Sequence, residues 1–281
     1  MINATLLKNR GVLKLSGPDA LPYLQGLVTN DVSRVKPDVA VYAALLSPQG
    51  KIISDFLISH AKDGYFLDCH RTHADDLLSR LRKYKLRAKV ILESLSDQLV
   101  VLWSPDNIVS EPSIESVYLD TRLSTLGWRA IIGSSEAIQN FNLIENECDY
   151  HAKCLELCVP NHLDDIRPDT QFALDCNFEE LHGVDFEKGC YVGQELTARM
   201  KHRASARRRI LPVDAATKLP PAGSSIRIGD LHIGEMLGSL NYRGLASIRI
   251  DRLGQADEAT CESQTIHIGR PPYPLILTDG T

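Results

Sequence analysis

The sequence predicts an α+β fold that ends in a small antiparallel β-barrel. Two apolar runs, residues 41–46 and 52–59, flank a proline- and glycine-containing turn at residues 48–50, which is typical of an antiparallel hairpin. Residues 73–87 repeat leucines at three- and four-residue spacing, which indicates a helix with one apolar face. After about residue 205 the segments become short and are separated by glycine, proline or polar turns, as in small barrels and sandwiches.

The N-terminal region is expected to pair strands with a helix. Residues 4–15 predict two strands around a polar turn at residues 9–11. The Gly17-Pro18-Asp19 sequence opens a helix, because proline is tolerated in a first helical turn. Three apolar residues of this segment have helical spacing and should face a core: Leu21, Leu24 and Val28. A strand at residues 64–69 completes the first antiparallel meander.

The remaining elements are predicted from the same two patterns, short apolar runs for strands and three- and four-residue spacing of apolar residues for helices. Three further strands are predicted in the middle of the chain, at residues 99–103, 116–119 and 128–132. Residues 145–157 predict a helix. Five strands are predicted for the C-terminal module, at residues 208–213, 225–228, 232–240, 244–250 and 261–268.

Composition narrows the class of protein. A chain of 281 residues is expected to contain two or three packed units. A net charge of −5 argues against bulk attraction to nucleic acid. The sequence contains no apolar run long enough to span a membrane and no signal-peptide pattern, so a cytoplasmic location is expected.

The seven cysteines indicate reduced thiols. Their number is odd, their spacing is irregular and no CxxC pair occurs, which argues against a disulfide framework and a closed zinc site. Cys148, His151, Cys154 and Cys158 lie at helical spacing. They form either part of a structural helix or a metal-binding face.

The segment at residues 188–195, Lys-Gly-Cys-Tyr-Val-Gly-Gln-Glu, carries the most specific chemistry. Its cysteine lies between two glycines, which permit sharp turns and close approach to a ligand. The neighbouring Lys188 ammonium can hold the Cys190 thiol partly ionised, and the thiolate is the form that reacts or binds metal. The alternative is an ordinary turn with a half-buried cysteine.

This segment and its continuation through residue 199 resemble the signature of the YgfZ family, folate-binding relatives of the glycine-cleavage T-protein, an aminomethyltransferase. The continuation is most similar to the branch that contains mitochondrial iron–sulfur assembly factors. Four other segments match the family in the same order, at residues 24–31, 47–55, 120–129 and 177–183. The resemblance therefore extends from about residue 11 into the C-terminal barrel.

The resemblance implies a three-domain cloverleaf around a folate cavity. Residues 1–40 and 116–202 would form a discontinuous first domain. An inserted second domain would span residues 41–115, and the C-terminal barrel would span residues 203–281.

The resemblance also implies site residues. Asp175 aligns with a glutamate of the relatives and becomes the candidate pterin anchor, because a buried carboxylate can accept the pterin N–H groups; the alternative is a turn-capping aspartate. Asp55 corresponds to one of two consecutive T-protein aspartates and is expected to contact folate. Ser54 replaces the other aspartate, which puts aminomethyl transfer in doubt. Cys190 becomes the functional thiol, and a transient iron–sulfur species is its implied cargo.

Further contacts are expected around this site. Tyr191 either stacks on the pterin or packs in the loop. Glu195 lies in a first helical turn, which the helix dipole favours regardless of function. The basic residues from Arg199 to Arg209 would bind the glutamate tail of folate or a partner, or form a solvated face. The remaining implied cofactor contacts are Asn30, Asn177 and Gln194.

Together these expectations describe a tetrahydrofolate-binding accessory factor that assembles or repairs iron–sulfur proteins. Its expected partners are iron–sulfur assembly proteins and client enzymes. We expect a monomer with no membrane contact and no direct nucleic-acid contact. Two alternatives remain: a tetrahydrofolate-dependent aminomethyl or methyl transferase, and a factor that supports tRNA modification.

Overall fold

A computed structural model describes residues 2–161, 163–203 and 206–276. The chain divides into two compact units. The first contains the residues up to Pro48, Ile53–Tyr150 and His182–Val192, and the second contains Gln49–Ile52, His151–Leu181 and the residues from Gly193 onward. The cloverleaf division into three domains remains a prediction.

Strands outnumber helices in the described chain. The strands are β1 (Ile2–Leu6), β2 (Arg10–Ser16), β3 (Val41–Leu46), β4 (Ile52–Ala61), β5 (Gly64–His70), β6 (Ile91–Ser94), β7 (Leu99–Ser104), β8 (Ile114–Leu119), β9 (Trp128–Gly133), β10 (Phe141–Ile144), β11 (Arg208–Asp214), β12 (Ser225–Ile228), β13 (Leu231–Leu240), β14 (Arg243–Arg249), β15 (Glu258–Cys261) and β16 (Gln264–Ile268). The α-helices are α1 (Ala20–Gln25), α2 (Ala74–Tyr84), α3 (Ser134–Asn140), α4 (Cys148–Glu156), α5 (Gln194–His202) and α6 (Ile250–Leu253).

The first unit contains two five-stranded sheets. One has the order β3-β4-β5-β2-β6, and the other has the order β10-β1-β7-β9-β8. The predicted hairpin and meander are present as β3, β4 and β5, and β2 extends them by pairing antiparallel with β5 from Arg10 opposite His70 to Ser16 opposite Gly64. Apolar residues of α1 and α2 pack against this sheet and form its core.

Helix α1 is shorter than the sequence predicts, and the prediction that Leu21 faces the core is wrong. Leu24 and Val28 are fully buried, but Leu21 is 38% exposed. The helix has only six residues, and Tyr23 takes the inward position by donating its hydroxyl hydrogen to the carbonyl oxygen of Leu81. In α2 the predicted apolar face is confirmed, with three buried leucines: Leu77, Leu78 and Leu81.

Two short strands and two helices were not predicted. Strands β6 and β10 have four residues each, too few to give a clear alternating pattern. Tertiary pairing stabilises them instead, since β6 pairs with β2 and β10 pairs in parallel with β1. Periodicity also missed helix α3, which follows β9 directly, and the four-residue helix α6, which follows β14 directly.

The second unit contains the predicted C-terminal barrel. It is closed, in the order β11-β14-β13-β12-β15-β16, and every neighbouring pair is antiparallel. The single strand predicted at residues 261–268 is instead β15 and β16, because the chain reverses at Glu262, whose φ is 54°. Within the described ranges, no helix combines the length and hydrophobicity required to cross a bilayer.

Candidate functional site

The segment that leads to Cys190 is fastened to the loop after α1 within the first unit. The Asp185 amide donates to the Thr29 carbonyl oxygen over 3.0 Å. The Thr29 hydroxyl donates to the Gly183 carbonyl oxygen over 2.6 Å, and the Asn30 amide nitrogen donates to the His182 carbonyl oxygen over 2.6 Å. Residues 29–30 and residues 182–185 are therefore joined by hydrogen bonds, and together they support the loop that carries Cys190.

Lys188 completes this support. Its buried Nζ donates to the carbonyl oxygens of Val28 and Asn30 over 2.6 and 2.8 Å and lies 5.1 Å from the centre of the Tyr191 ring. Burial lowers the pKa of Lys188 to about 8, although the carboxylates of Asp31 and Asp185 oppose that shift. The Lys188 amine therefore holds the loop in place, and its predicted effect on the Cys190 thiol remains a prediction.

The Cys190 side chain is exposed at the end of this support, together with Cys148 among the seven free cysteines. This exposure overturns the alternative of a half-buried cysteine. A Cβ atom added at Gly189 would meet no atom within 4 Å, so the backbone beside the thiol is open as well. An exposed thiol on a fixed loop is accessible to a macromolecule or a metal species.

The residues after the thiol loop begin α5. Gly193 has a φ of 81° immediately before this helix, in the left-handed region that glycine adopts without strain. Gln194 is half-buried, whereas Glu195 is exposed and binds Arg199 one helical turn later over 2.6 Å. Tyr191 is buried. These contacts are structural, and the predicted cofactor contacts of these residues remain predictions.

A cavity of about 320 Å³ lies within the second unit. Its walls combine apolar, acidic and basic side chains, and its lining residues are Phe172, Asp175, Leu196, Met200, Arg207, Arg208 and Arg249. A concave site with apolar walls and a few polar groups is the usual form of a small-molecule pocket.

Asp175, which lines this cavity, has one carboxylate oxygen that is buried and lacks a partner among the described residues. Its Oδ1 atom is buried and has no hydrogen-bond partner in the described part of the chain. Burial raises the pKa of Asp175, and the Arg208 backbone N–H and the Arg209 guanidinium only partly offset this effect. An unpaired buried carboxylate oxygen is costly, so the geometry fits a ligand that donates hydrogen bonds.

Lys51 fixes the aromatic wall of the cavity. Its Nζ lies 3.4 Å from the centre of the Phe172 ring and donates to the Thr170 carbonyl oxygen over 2.7 Å. A cation over an aromatic face is an attractive contact. The Phe172 ring is therefore held in one orientation beside Asp175.

Asn177 and Asn30, two of the predicted cofactor contacts, make hydrogen bonds within the protein. The Asn177 amide donates to the Ile210 carbonyl and the Tyr273 hydroxyl and accepts from the Ile210 amide. The Asn30 amide nitrogen donates to the Tyr42 carbonyl as well as to His182, and its oxygen accepts from the Asp31 amide. These bonds join Asn30 to backbone groups and Asn177 to backbone groups and the Tyr273 hydroxyl, and the predicted cofactor contacts of both residues remain predictions.

Asp55 lies in the first unit, where the Tyr42 hydroxyl donates to its Oδ2 atom over 3.0 Å. The cavity residues belong to the second unit. The expected folate contact of Asp55 remains a prediction.

Sequence reasoning missed a buried charge network in the first unit. Asp68 binds Arg10 and Arg129 over 2.6 and 2.5 Å, and Asp120 binds Arg122 and Arg129 over 2.7 and 3.2 Å. The sequence signal for this network is Asp68, a carboxylate between the buried apolar residues Leu67 and Cys69 of strand β5. Because each buried charge has a partner, the network connects the two sheets without leaving a free charge.

The predicted metal-face alternative on α4 has no support in the structure. Among the described residues, no group of three or more His, Cys, Asp or Glu side chains could hold a metal ion. Cys158 lies beyond the end of α4 with a φ of 52°, and its thiol contacts the Ile210 carbonyl. It therefore does not continue a helical face.

The fold is that of the glycine-cleavage T-protein class. Residues 7–103 match the GCVT N-terminal domain, and residues 207–274 match the CAF17 C-terminal beta-barrel domain. The crystal structure of the glycine cleavage system aminomethyltransferase T from Bartonella henselae is similar in fold, with a TM-score of 0.78 and 14% sequence identity, over 96% of this chain and 85% of that chain.

Curated relatives define the family within this class. The human iron–sulfur cluster assembly factor IBA57 is 31% identical over 240 residues, which cover 77% of this chain and 67% of the relative. The IBA57 homologue of Mycosarcoma maydis is 32% identical, over 89% of this chain and 66% of its own length. The mouse protein is 29% identical, over 93% and 82% of the two chains. The chain belongs to the IBA57 family, as its resemblance to YgfZ-type proteins predicts.

These relatives correct one expectation and leave another without support. The predicted cytoplasmic location is wrong, because the matched relatives are named as mitochondrial proteins. Their names refer to iron–sulfur cluster assembly and give no support to a role in tRNA modification.

Proposed function

We propose that this chain is a tetrahydrofolate-binding iron–sulfur assembly factor, with Cys190 as its functional thiol. The observation that carries folate binding is the buried, unpartnered Oδ1 atom of Asp175 in the cavity of the second unit. A pterin offers an amine and a ring N–H group, and a carboxylate can accept both hydrogen bonds. Membership in the IBA57 family supports the role in cluster assembly.

The residues that line the cavity would have different roles in folate binding. Asp175 would accept the pterin N–H groups, while Phe172, fixed by Lys51, would supply an aromatic wall. Leu196 and Met200 would exclude water on the apolar side. When bound, the folate would supply a redox-sensitive, one-carbon-carrying heterocycle, and these residues would hold and orient it.

Cys190 would act on a different ligand. Thiolates are the preferred protein ligands of iron–sulfur clusters, and the Cys190 thiol is exposed on a loop that Lys188 and Thr29 hold in place. One thiol cannot hold a cluster alone, so a partner protein would supply the other ligands. Iron–sulfur assembly proteins and client enzymes are the partners that this chemistry requires.

Folate binding is tested by calorimetric titration with tetrahydrofolate. Asp175→Asn keeps the side-chain shape but removes the charge, and we expect the dissociation constant to rise about tenfold or more. Asp230→Asn, an exposed turn residue of the same unit, serves as the matched control. Wild-type affinity in the Asp175→Asn protein would reject Asp175 as the pterin anchor.

The thiol role is tested by complementation of a deletion strain. We expect Cys190→Ser to bind tetrahydrofolate normally but to leave a cluster-dependent enzyme with low activity. Cys148→Ser removes the other exposed thiol and should restore full activity. Full restoration by the Cys190→Ser protein would refute the assignment.

One-carbon transfer has no comparable support. Ser54 replaces one of the two aspartates of the T-protein pattern, and Tyr42 binds the carboxylate of the other, Asp55.

A further inference from the structure

The segment at the end of α2 carries a high density of positive charge. Residues 77–92 contain six lysines and arginines and no aspartate or glutamate, although the whole chain has a net charge of −5. Basic residues in the last turn of a helix stabilise its dipole, and two of the six lie there. The dipole does not explain the three that come after the last helical residue: Lys85, Arg87 and Lys89.

Four of these charges are free to meet a partner. The side chains of Lys83, Lys85, Arg87 and Lys89 are exposed and make no ion pair with the described residues. In contrast, Arg80 pairs with Asp76 over 2.7 Å. We call residues 83–89 the basic turn. Its like charges attract an anionic surface even though the protein as a whole is negative.

An exposed leucine lies in the middle of the basic turn. Leu86 is 90% exposed, more than any other large apolar side chain of the described residues. Its φ is 41°, in the left-handed region that is unfavourable for leucine. Ile91, at the start of the edge strand β6, is 58% exposed. Cationic and apolar side chains therefore reach solvent from one short segment.

The fold of the first unit holds the basic turn in place. The Lys89 amide donates to the Asp19 carboxylate over 2.7 Å, and the Ala88 amide donates to the Lys85 carbonyl oxygen over 2.8 Å. Tyr84 and Ala88 pack against the core formed with α1 and α2. The exposure of Leu86 is thus fixed by contacts on both sides of it.

The composition of the basic turn distinguishes between three kinds of anionic partner. Proteins that bind single-stranded nucleic acid offer exposed aromatic side chains for stacking, but Tyr84, the aromatic residue of this segment, packs against the core. Protein–protein interfaces are depleted in lysine, whereas three of the four free charges are lysines. An anionic bilayer suits the segment, because its head groups attract lysine and arginine while its acyl chains accept a leucine.

We propose that the basic turn docks the protein reversibly on an anionic membrane surface, with Leu86 entering the apolar layer. This contact is peripheral, and it is independent of folate binding and of the Cys190 thiol. It departs from the expectation of no membrane contact, which rests on the lack of a spanning segment in the sequence. One leucine and a few basic residues give weak binding that salt can reverse.

The test is co-sedimentation of the purified protein with phospholipid vesicles at low salt. We expect the protein to bind vesicles of phosphatidylcholine mixed with phosphatidylglycerol and not vesicles of phosphatidylcholine alone, because only the mixture carries negative charge. Binding should weaken as salt is added. Because the net charge of the chain is −5, attraction to the anionic vesicles requires a local positive patch.

A triple variant tests the charges. Lys85→Gln, Arg87→Gln and Lys89→Gln together should weaken binding to anionic vesicles about a hundredfold, since each basic residue near such a surface contributes about fivefold in affinity. The matched control removes two exposed lysines and one exposed arginine elsewhere, through Lys62→Gln, Lys218→Gln and Arg243→Gln. It lowers the net charge equally and should bind as the wild type does.

A single variant tests the apolar contact. Leu86→Asn should weaken binding to anionic vesicles about tenfold, because it removes the side chain that enters the bilayer. Its melting temperature should equal or exceed that of the wild type, since asparagine adopts a positive φ more readily than leucine. A loss of binding without a loss of stability therefore separates membrane contact from misfolding.

Each outcome has a definite meaning. The proposal is overturned if the wild type does not bind anionic vesicles at low salt, or if the basic-turn triple variant binds them no more weakly than the control variant. Undiminished binding by Leu86→Asn would overturn the insertion of the leucine. Salt-sensitive binding of tRNA that the triple variant loses, with no binding to vesicles, would instead assign the basic turn to nucleic acid.

Discussion

The Nζ atom of Lys188 lies 2.6 Å from the carbonyl oxygen of Val28. Lys188 precedes the Cys190 thiol by two residues in the sequence, but its side chain is directed into the protein. A second bond, to the Asn30 carbonyl oxygen, uses another of its hydrogens. The lysine of the family signature therefore joins the thiol loop to the segment after α1. This contact is a structural link between two motifs that lie about 160 residues apart in the chain.

Replacing Lys188 with methionine tests this link. The change leaves two buried carbonyl oxygens without their donor, so we expect the free energy of unfolding to fall by about 2–4 kcal/mol. Urea denaturation followed by circular dichroism measures the loss. Lys36→Met, an exposed site in the same unit, should change stability by less than about 0.5 kcal/mol. Equal stability of the two variants would contradict a structural role for Lys188.

The same lysine predicts a dependence of stability on pH. Burial lowers the pKa of Lys188 to about 8 in the folded protein, against an ordinary value of 10.5. Between these values the unfolded chain binds more protons at this site, so raising the pH favours the folded state. We expect the stability difference between wild type and Lys188→Met to widen from pH 8 to pH 10.5. A constant difference across that range would show that the amine is not buried in the folded state.

The sequence predicts long, strongly patterned elements and specific motifs better than it predicts contacts. Helix α2 is foreseen because its leucines repeat regularly, and β3 and β4 are foreseen because a proline–glycine turn separates them. Strands β6 and β10 are missed because their pairing partners, not their own residues, determine them.

The candidate site also shows that the sequence predicts motifs better than it predicts contacts between them. The signature identifies Lys188 and Asn30 but not the fact that one binds the carbonyl of the other. It points to a basic run, yet only the barrel register brings Arg249 opposite Arg208. Periodicity describes one element at a time, whereas these pairs depend on tertiary packing.

Asn177 provides a test of the turn that precedes the barrel. Its backbone is left-handed, with a φ of 58°, and its amide makes three hydrogen bonds, two of them to Ile210 of β11. Asn177→Ala should lower the free energy of unfolding by about 3 kcal/mol or more, through lost hydrogen bonds and backbone strain.

Asn177→Gly separates these two causes. Glycine adopts the same backbone without strain, so the glycine variant should be about 1 kcal/mol more stable than the alanine variant. Chemical denaturation of both proteins gives the comparison. A glycine variant as stable as the wild type would mean that the amide contributes nothing.

Asp120 predicts how the first unit responds to acid. Its carboxylate is fully buried, and burial alone would raise its pKa; however, Arg122 and Arg129 outweigh burial and lower the pKa to about 2. A lowered pKa contributes stability that is present above the ordinary value near 4 and is lost as the pH falls toward 2. Asp120→Asn removes the charge, so we expect about 3–5 kcal/mol lower stability at pH 7.

The pH series distinguishes this ion pair from general acid sensitivity. Between pH 4 and pH 2 the stability of the wild type should fall more steeply than that of Asp120→Asn, because the variant has no carboxylate to protonate at this site. Urea midpoints measured at half-unit intervals give the two slopes. Asp76→Asn, which removes an exposed partner of Arg80 on α2, should follow the wild-type slope and lose less than about 1 kcal/mol. Parallel curves for wild type and Asp120→Asn would mean that the buried pairs do not hold this carboxyl ionised.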